Sequence, residues 1–133
     1  MPDATPTIFL IEDDNSVRRA LIRVMESSGL DTRSFATAED FLAHFNTGGD
    51  PPPGCVVTDM TLPGISGLEL KIHLNAARNS IPVILLTAND TAETRAAAHE
   101  AGAAGYFRKP VDTQALLDAI WWVINPALSS TTA

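Results

Sequence analysis

The chain has 133 residues, room for one compact domain and little more. Nine Lys and Arg against sixteen Asp and Glu leave a formal charge of −7, which works against binding a nucleic-acid backbone. The single cysteine, Cys55, excludes an intramolecular disulfide and a cysteine-rich zinc site. No apolar run approaches the ~18 residues of a membrane span, and the N-terminus lacks the pattern of a signal peptide, so the expected location is the cytoplasm.

Short apolar runs alternate with amphipathic stretches five times. After an N-terminal tail (1–6), residues 7–11 (TIFLI) read as a buried strand that ends abruptly in Glu12, Asp13 and Asp14. Residues 16–28 set Val17, Ala20, Leu21, Val24 and Met25 at helical spacing, with Arg18, Arg19 and Arg23 as a solvated face and Gly29 as the stop. A weaker strand over 30–35 precedes Thr37, which has Asp40 three residues on, the signature of a capped helix leading into Phe41, Leu42 and Phe45.

Residues 47–54 (TGGDPPPG) form a loop, since three consecutive prolines fix φ and remove donors. A third strand over 55–58 ends at Asp59, and Cys55 at its head reads as a small buried thiol. Pro63, Gly64 and Gly67 break the chain before a short helix over 68–74. Residues 81–87 (IPVILLT) lack alternation, which implies burial on both faces. An alanine-rich helix over 93–101 closes at Gly102, a short strand over 105–107 leads to Lys109-Pro110, and the last helix spans 112–124. The domain is thus bounded at 7–125, and residues 126–133 are a polar tail or the start of a linker. His44, His73 and His99 fall in helices without a matching ligand set.

Five such units imply an α/β fold, a doubly wound parallel sheet with helices on both faces, whose ligands bind at the carboxyl ends of the strands. The residues at those ends are Glu12-Asp13, Asp59, Thr87 and Arg108-Lys109-Pro110. Three gathered carboxylates repel: two unit charges ~4 Å apart cost about 4 kcal/mol at an effective dielectric of about 20. A hard divalent cation such as Mg²⁺ relieves this with oxygen ligands. Thr87 and Lys109 add a hydroxyl and a cation suited to phosphoryl oxygens, and an Asp carboxylate is a competent phosphoryl nucleophile.

In this order and spacing the residues resemble the response-regulator receiver domain of two-component signalling. The resemblance spans residues 7–124 and rests on Glu12-Asp13 after LI, VVTDMTLPGISG around Asp59, LLTA at the end of strand four, and YFRKP. It implies a flavodoxin-like sheet of order 2-1-3-4-5 and a signalling switch in place of a conventional enzyme. Asp59 is then the phosphoacceptor for a sensor histidine kinase. Mg²⁺ is held by Asp13, Asp59 and the carbonyl of Thr61, with Glu12 acting through water. Thr87 and Lys109 meet the phosphoryl oxygens, and the Lys109-Pro110 bond is cis. Movement of Thr87 lets Tyr106 turn inward, which alters the surface of helix four, strand five and helix five, a possible homodimer contact and a route to an output such as transcription. No direct nucleic-acid or membrane contact is expected of the domain itself. Glu12 stands where Asp is more frequent, and neither Thr61 nor Asn89 is an obvious base for a hydrolytic water.

Two other functions remain open on sequence. A haloacid-dehalogenase-type phosphatase also uses a strand-end Asp, but its second Asp, two residues on, is here Thr61. A pure interaction module is the other, against which the full set Asp13, Asp59, Thr87 and Lys109 argues. On a helical wheel Leu116, Leu117, Ile120, Val123 and Ile124 share one face, with Trp122 nearly opposite and Trp121 on the flank, so Trp122 is a candidate interface residue.

Overall fold

The computed structural model describes residues 6–45 and 53–125. Residues 1–5 and 126–133, and residues 46–52 with most of the expected proline loop, lie outside the described residues. The chain alternates β1 (Thr7–Ile11), α1 (Asn15–Ser27), β2 (Asp31–Phe35), α2 (Ala38–His44), β3 (Gly54–Asp59), α3 (Gly67–Ala76), β4 (Val83–Thr87), α4 (Ala92–Glu100), β5 (Gly105–Arg108) and α5 (Thr113–Ile124). The strands form one sheet in the order β2-β1-β3-β4-β5, every pair parallel.

Strand alternation divides the interior in two. Ile8, Leu10, Cys55, Val57, Ile84 and Leu86 point to one face, where Leu21 and Met25 of α1 and Leu116 and Ile120 of α5 cover them. Ile11, Val56, Val83 and Leu85 point to the other, under Phe41 of α2, Leu70 and Leu74 of α3 and Ala98 of α4. Side chains of one strand serve both cores because successive Cβ atoms face opposite sides. Phe41 is fully buried and meets Phe9 and Phe35 edge-on, with ring centroids 5.6 Å apart in each pair.

Helix starts follow local chemistry. Asp14, Thr37, Ser66, Thr91 and Asp112 each cap a helix by accepting from a backbone N–H two or three residues on. Two expectations shift. The fourth strand begins at Val83 and not at residue 81: Pro82 has no N–H to give, and the Ile81 N–H donates to Asn79 Oδ1 in a turn. The helical stripe of α1 is only partly internal. Leu21 and Met25 are buried, whereas Val17 and Ala20 are exposed. Among the described residues no helix is long and apolar enough to cross a membrane.

Candidate functional site

The sheet register carries the polar residues to one edge. Ile11 of β1 pairs with Thr58, Asp59 with Leu86, and Thr87 with Arg108. Backbone bonds extend the ladder one step beyond the strands. Glu12 N–H donates to Phe35 O at 3.0 Å, Met60 N–H to Leu86 O at 2.7 Å, and Lys109 N–H to Thr87 O at 2.7 Å. These bonds fix the backbones of Glu12 and Lys109, so their side chains meet above the central strand.

Lys109 Nζ donates to Asp59 Oδ2 at 2.7 Å and to Glu12 Oε1 at 2.8 Å. Both carboxylates are buried, Glu12 at 1% exposure and Asp59 at 7%. The other oxygen of each is also held: Asp59 Oδ1 accepts from the Thr61 N–H at 3.1 Å, and Glu12 Oε2 from the Asp14 N–H at 3.1 Å. Burial pushes the Glu12 pKa up, against the lowering pull of Lys109 and of the Asp14 N–H. Burial alone would lower the Lys109 pKa, but its bonds to Asp59 and Glu12 outweigh that and hold it above the ordinary value.

Asp13 is exposed at the mouth of the cluster. Glu12, Asp13 and Asp59 each bring a carboxylate oxygen within 4.8 Å of the others. A convergent set of hard anionic oxygens fits Mg²⁺ or another hard cation and is unsuited to softer metals. Thr61 is exposed and lies beside Asp59, as its N–H contact requires.

Thr87 is 1% exposed, and its Oγ1 accepts from the Asn89 N–H at 3.0 Å. Its hydroxyl is therefore tied to the loop after β4, and among the described residues no hydrogen bond joins it to Asp59. Tyr106 is half-buried, with its ring against the core and its hydroxyl on Asp90 and Thr94. The Lys109-Pro110 bond is cis. Trp121 and Trp122 are exposed on α5, at 38% and 45%, apart from this cluster.

Two features are not legible in the sequence. Nothing local links Asp90 and Thr94 to Tyr106; the one signal is a tyrosine hydroxyl that needs a partner when half-buried. The second is an apolar pocket of about 460 Å³ between α1 and the segment after β5. Val17, Ala20 and Leu21 form one wall, Leu86, Pro110 and Val111 the other, and Lys109 reaches its edge.

Comparison with known proteins bears directly on this arrangement. The family model for the response regulator receiver domain matches residues 8–121. The transcriptional regulatory protein FixJ of Azorhizobium caulinodans is 38% identical over 120 residues, covering 90% of this chain and 55% of FixJ. The transcriptional regulatory protein TdiR of Thauera aromatica is 37% identical over 114 residues, covering 86% of this chain and 49% of TdiR. The chain thus spans about half the length of the curated relatives it matches. Among solved structures, the response regulator StyR superposes with a TM-score of 0.80 at 36% identity, over 97% of this chain and 64% of that one. A structure of FixJ-N gives 0.77 at 30% identity, over 90% and 92%. With its sheet order and its match to the family over nearly the whole fold, the chain belongs to the response regulator receiver domains.

Proposed function

We propose that this domain accepts a phosphoryl group on Asp59 from the phosphohistidine of a sensor histidine kinase and acts as a cytoplasmic switch. The observation that carries the reading is the Lys109 ammonium lodged between Asp59 and Glu12 at 2.7 and 2.8 Å. An Asp59 oxygen attacks phosphorus as the P–N bond breaks. The electron pair returns to the imidazole nitrogen and an acyl phosphate remains on the domain. Glu12, Asp13, Asp59 and the carbonyl of Thr61 are the residues that would hold Mg²⁺. When bound, the cation supplies positive charge to the phosphoryl oxygens.

Lys109 then exchanges a carboxylate oxygen for a phosphoryl oxygen, and Thr87 gives up the Asn89 N–H to donate to another. Tyr106 responds to the space Thr87 vacates, and the change reaches the face made by α4, β5 and α5. The apolar pocket at the edge of Lys109 offers a seat for apolar side chains of the donor protein. FixJ and TdiR are described as transcriptional regulators, which supports transcription as the output of the larger protein to which such a domain belongs. The domain itself is a phosphoacceptor, in no other sense an enzyme. Trp122 is proposed as part of a homodimer or partner contact.

Incubation with Mg²⁺ and a small phosphodonor, followed by intact mass, tests the central step. The wild-type chain should gain one phosphoryl group and Asp59→Asn none. Equal labelling of both proteins, or none of the wild type, overturns the assignment.

A further inference from the structure

Strand β5 is joined to the start of α4 by side chains that phosphoryl transfer does not itself use. The Tyr106 hydroxyl donates to Asp90 Oδ1 at 2.9 Å and lies 2.8 Å from Thr94 Oγ1. Thr94 also closes the capping box of α4 with Thr91. Arg95 Nη2 donates to both oxygens of Asp90, at 2.9 and 3.1 Å. The Asp90 carboxyl is held below its ordinary range, first by the Tyr106 hydroxyl and then by the Arg95 guanidinium. A phenol oxygen with one partner in the loop before α4 and one in its first turn fixes the ring more closely than packing alone.

Asn89, the residue before Asp90, gives its N–H to Thr87 Oγ1 at 3.0 Å. Two adjacent residues therefore hold the hydroxyl of Thr87 and the hydroxyl of Tyr106. The two contacts are thus joined by a single peptide link between Asn89 and Asp90. Helix α4 has little else to hold it, since Ala98 is its one buried residue. Its far end is fastened to α3, where Asn75 Nδ2 donates to Ala101 O at 2.9 Å. The first turn of α4, which follows the loop after Thr87, is the end that Tyr106 touches.

We infer that Asp90, with Thr94, is a latch that keeps Tyr106 and the first turn of α4 in the resting arrangement, and that occupation of Asp59 releases it through Thr87 and Asn89. The inference rests on the switch reading proposed above. Asp90 acts as a positioning residue. Because coupling is reciprocal, a latch that favours the resting state weakens binding of a phosphoryl mimic, and its removal strengthens binding by the same factor.

The test is a titration of the full chain with Mg²⁺ and beryllium fluoride, followed by amide NMR spectra. Asp90→Ala should bind the mimic several-fold tighter than wild type. Its unliganded spectrum should lie part-way toward the bound one at amides of α4 and β5. Tyr106→Phe, which removes one oxygen and keeps the packed ring, should do the same, and the double variant no more than either. Asp90→Asn keeps an acceptor oxygen for the phenol and should stay near wild type. Unchanged affinity and spectra in Asp90→Ala and Tyr106→Phe overturn the latch, as do fully additive effects. Failure of the wild type to bind the mimic overturns the switch reading and the latch together, so the two failures are distinct.

Discussion

The Lys109 ammonium donates to Asp59 Oδ2 at 2.7 Å although 50 positions separate the two residues. The same nitrogen reaches Glu12, so one cation offsets the repulsion between two buried carboxylates at the end of the sheet. Lys109→Ala leaves both without it. In metal-free buffer the variant should lose about 2–3 kcal/mol of stability, the range for a largely buried charged hydrogen-bonded group. Mg²⁺ should raise its melting temperature more than that of wild type, because no ammonium competes for the carboxylates. Thermal melts with chelator and with Mg²⁺ check this, and equal gains in both proteins would count against Lys109 as the resting counterion.

Gly67 opens α3 directly against the end of β3. A Cβ there would lie 2.1 Å from the backbone oxygen of Asp59 and 3.1 Å from Thr58 Cγ2. The Gly67 N–H also donates to Met60 O at 3.0 Å, so the helix cannot back away without losing a bond. Gly67→Ala should therefore cost about 1–3 kcal/mol, the range for overpacking, and slow phosphoryl uptake by displacing Asp59. Denaturant unfolding gives the first number and intact-mass labelling the second. Uptake at the wild-type rate would mean that the strand end absorbs the strain elsewhere.

Much of this was readable in the sequence because the fold converts one-dimensional order into one edge of a sheet. Glu12, Asp59, Thr87 and Lys109 each stand at the end of a short strand or one residue beyond it, and a parallel sheet brings all such positions together. The cap at Thr37 was legible for a local reason, since Asp40 N–H lies within reach of its hydroxyl. Long-range pairings were not. Nothing local joins Tyr106 to Asp90, 16 positions away, or buries Lys71 to 7% exposure, although its bond to Asn75 four residues on is an ordinary helical pair. Periodicity placed Val17 and Ala20 on the apolar stripe of α1, but it cannot separate a residue facing the core from one lining a pocket.

That pocket yields a prediction about the donor. Val17 and Ala20 leave apolar surface exposed within the pocket that Lys109 borders, beside the proposed path of an incoming phosphohistidine. Ala20→Asp places a charge on this wall without touching Asp59. Transfer from a histidine-phosphorylated kinase domain should fall at least about ten-fold, as for a charge buried at the centre of an interface. Labelling by a small phosphodonor should remain at the wild-type rate, because it needs no docking surface. Parallel loss of both activities would mean that the substitution damaged the acceptor site.

Cys55 gives a signed pH dependence. It is fully buried in β3, and burial pushes its thiol from 9.0 up to about 12. Above pH 9 the unfolded chain loses this proton while the folded chain keeps it. Stability therefore falls as pH rises from 9 toward 12, by at most about 1.4 kcal/mol per pH unit from this group. Cys55→Ala forfeits packing at every pH, so the slope is the readout. The variant should lose stability less steeply than wild type between pH 9 and 11 in denaturant titrations, and matching slopes would remove the thiol from the account.

Trp122 is 45% exposed while Leu116 and Ile120 of the same helix are buried, so the helix presents a large aromatic surface away from its own core. Such a side chain contributes little to folding where it stands, and Trp122→Ala should change stability by no more than about 0.5 kcal/mol. Its weight should appear in association, because tryptophan is among the residues that dominate interfaces when desolvated. With Mg²⁺ and beryllium fluoride bound, the variant should self-associate or bind its partner roughly ten-fold more weakly than wild type, the loss expected for an interface anchor. Sedimentation with and without the mimic measures self-association, and a pull-down against a phosphorylatable kinase domain measures the alternative. Unchanged behaviour in both assays would return Trp122 to the ordinary exposed surface, and with it the case for α5 as a contact face.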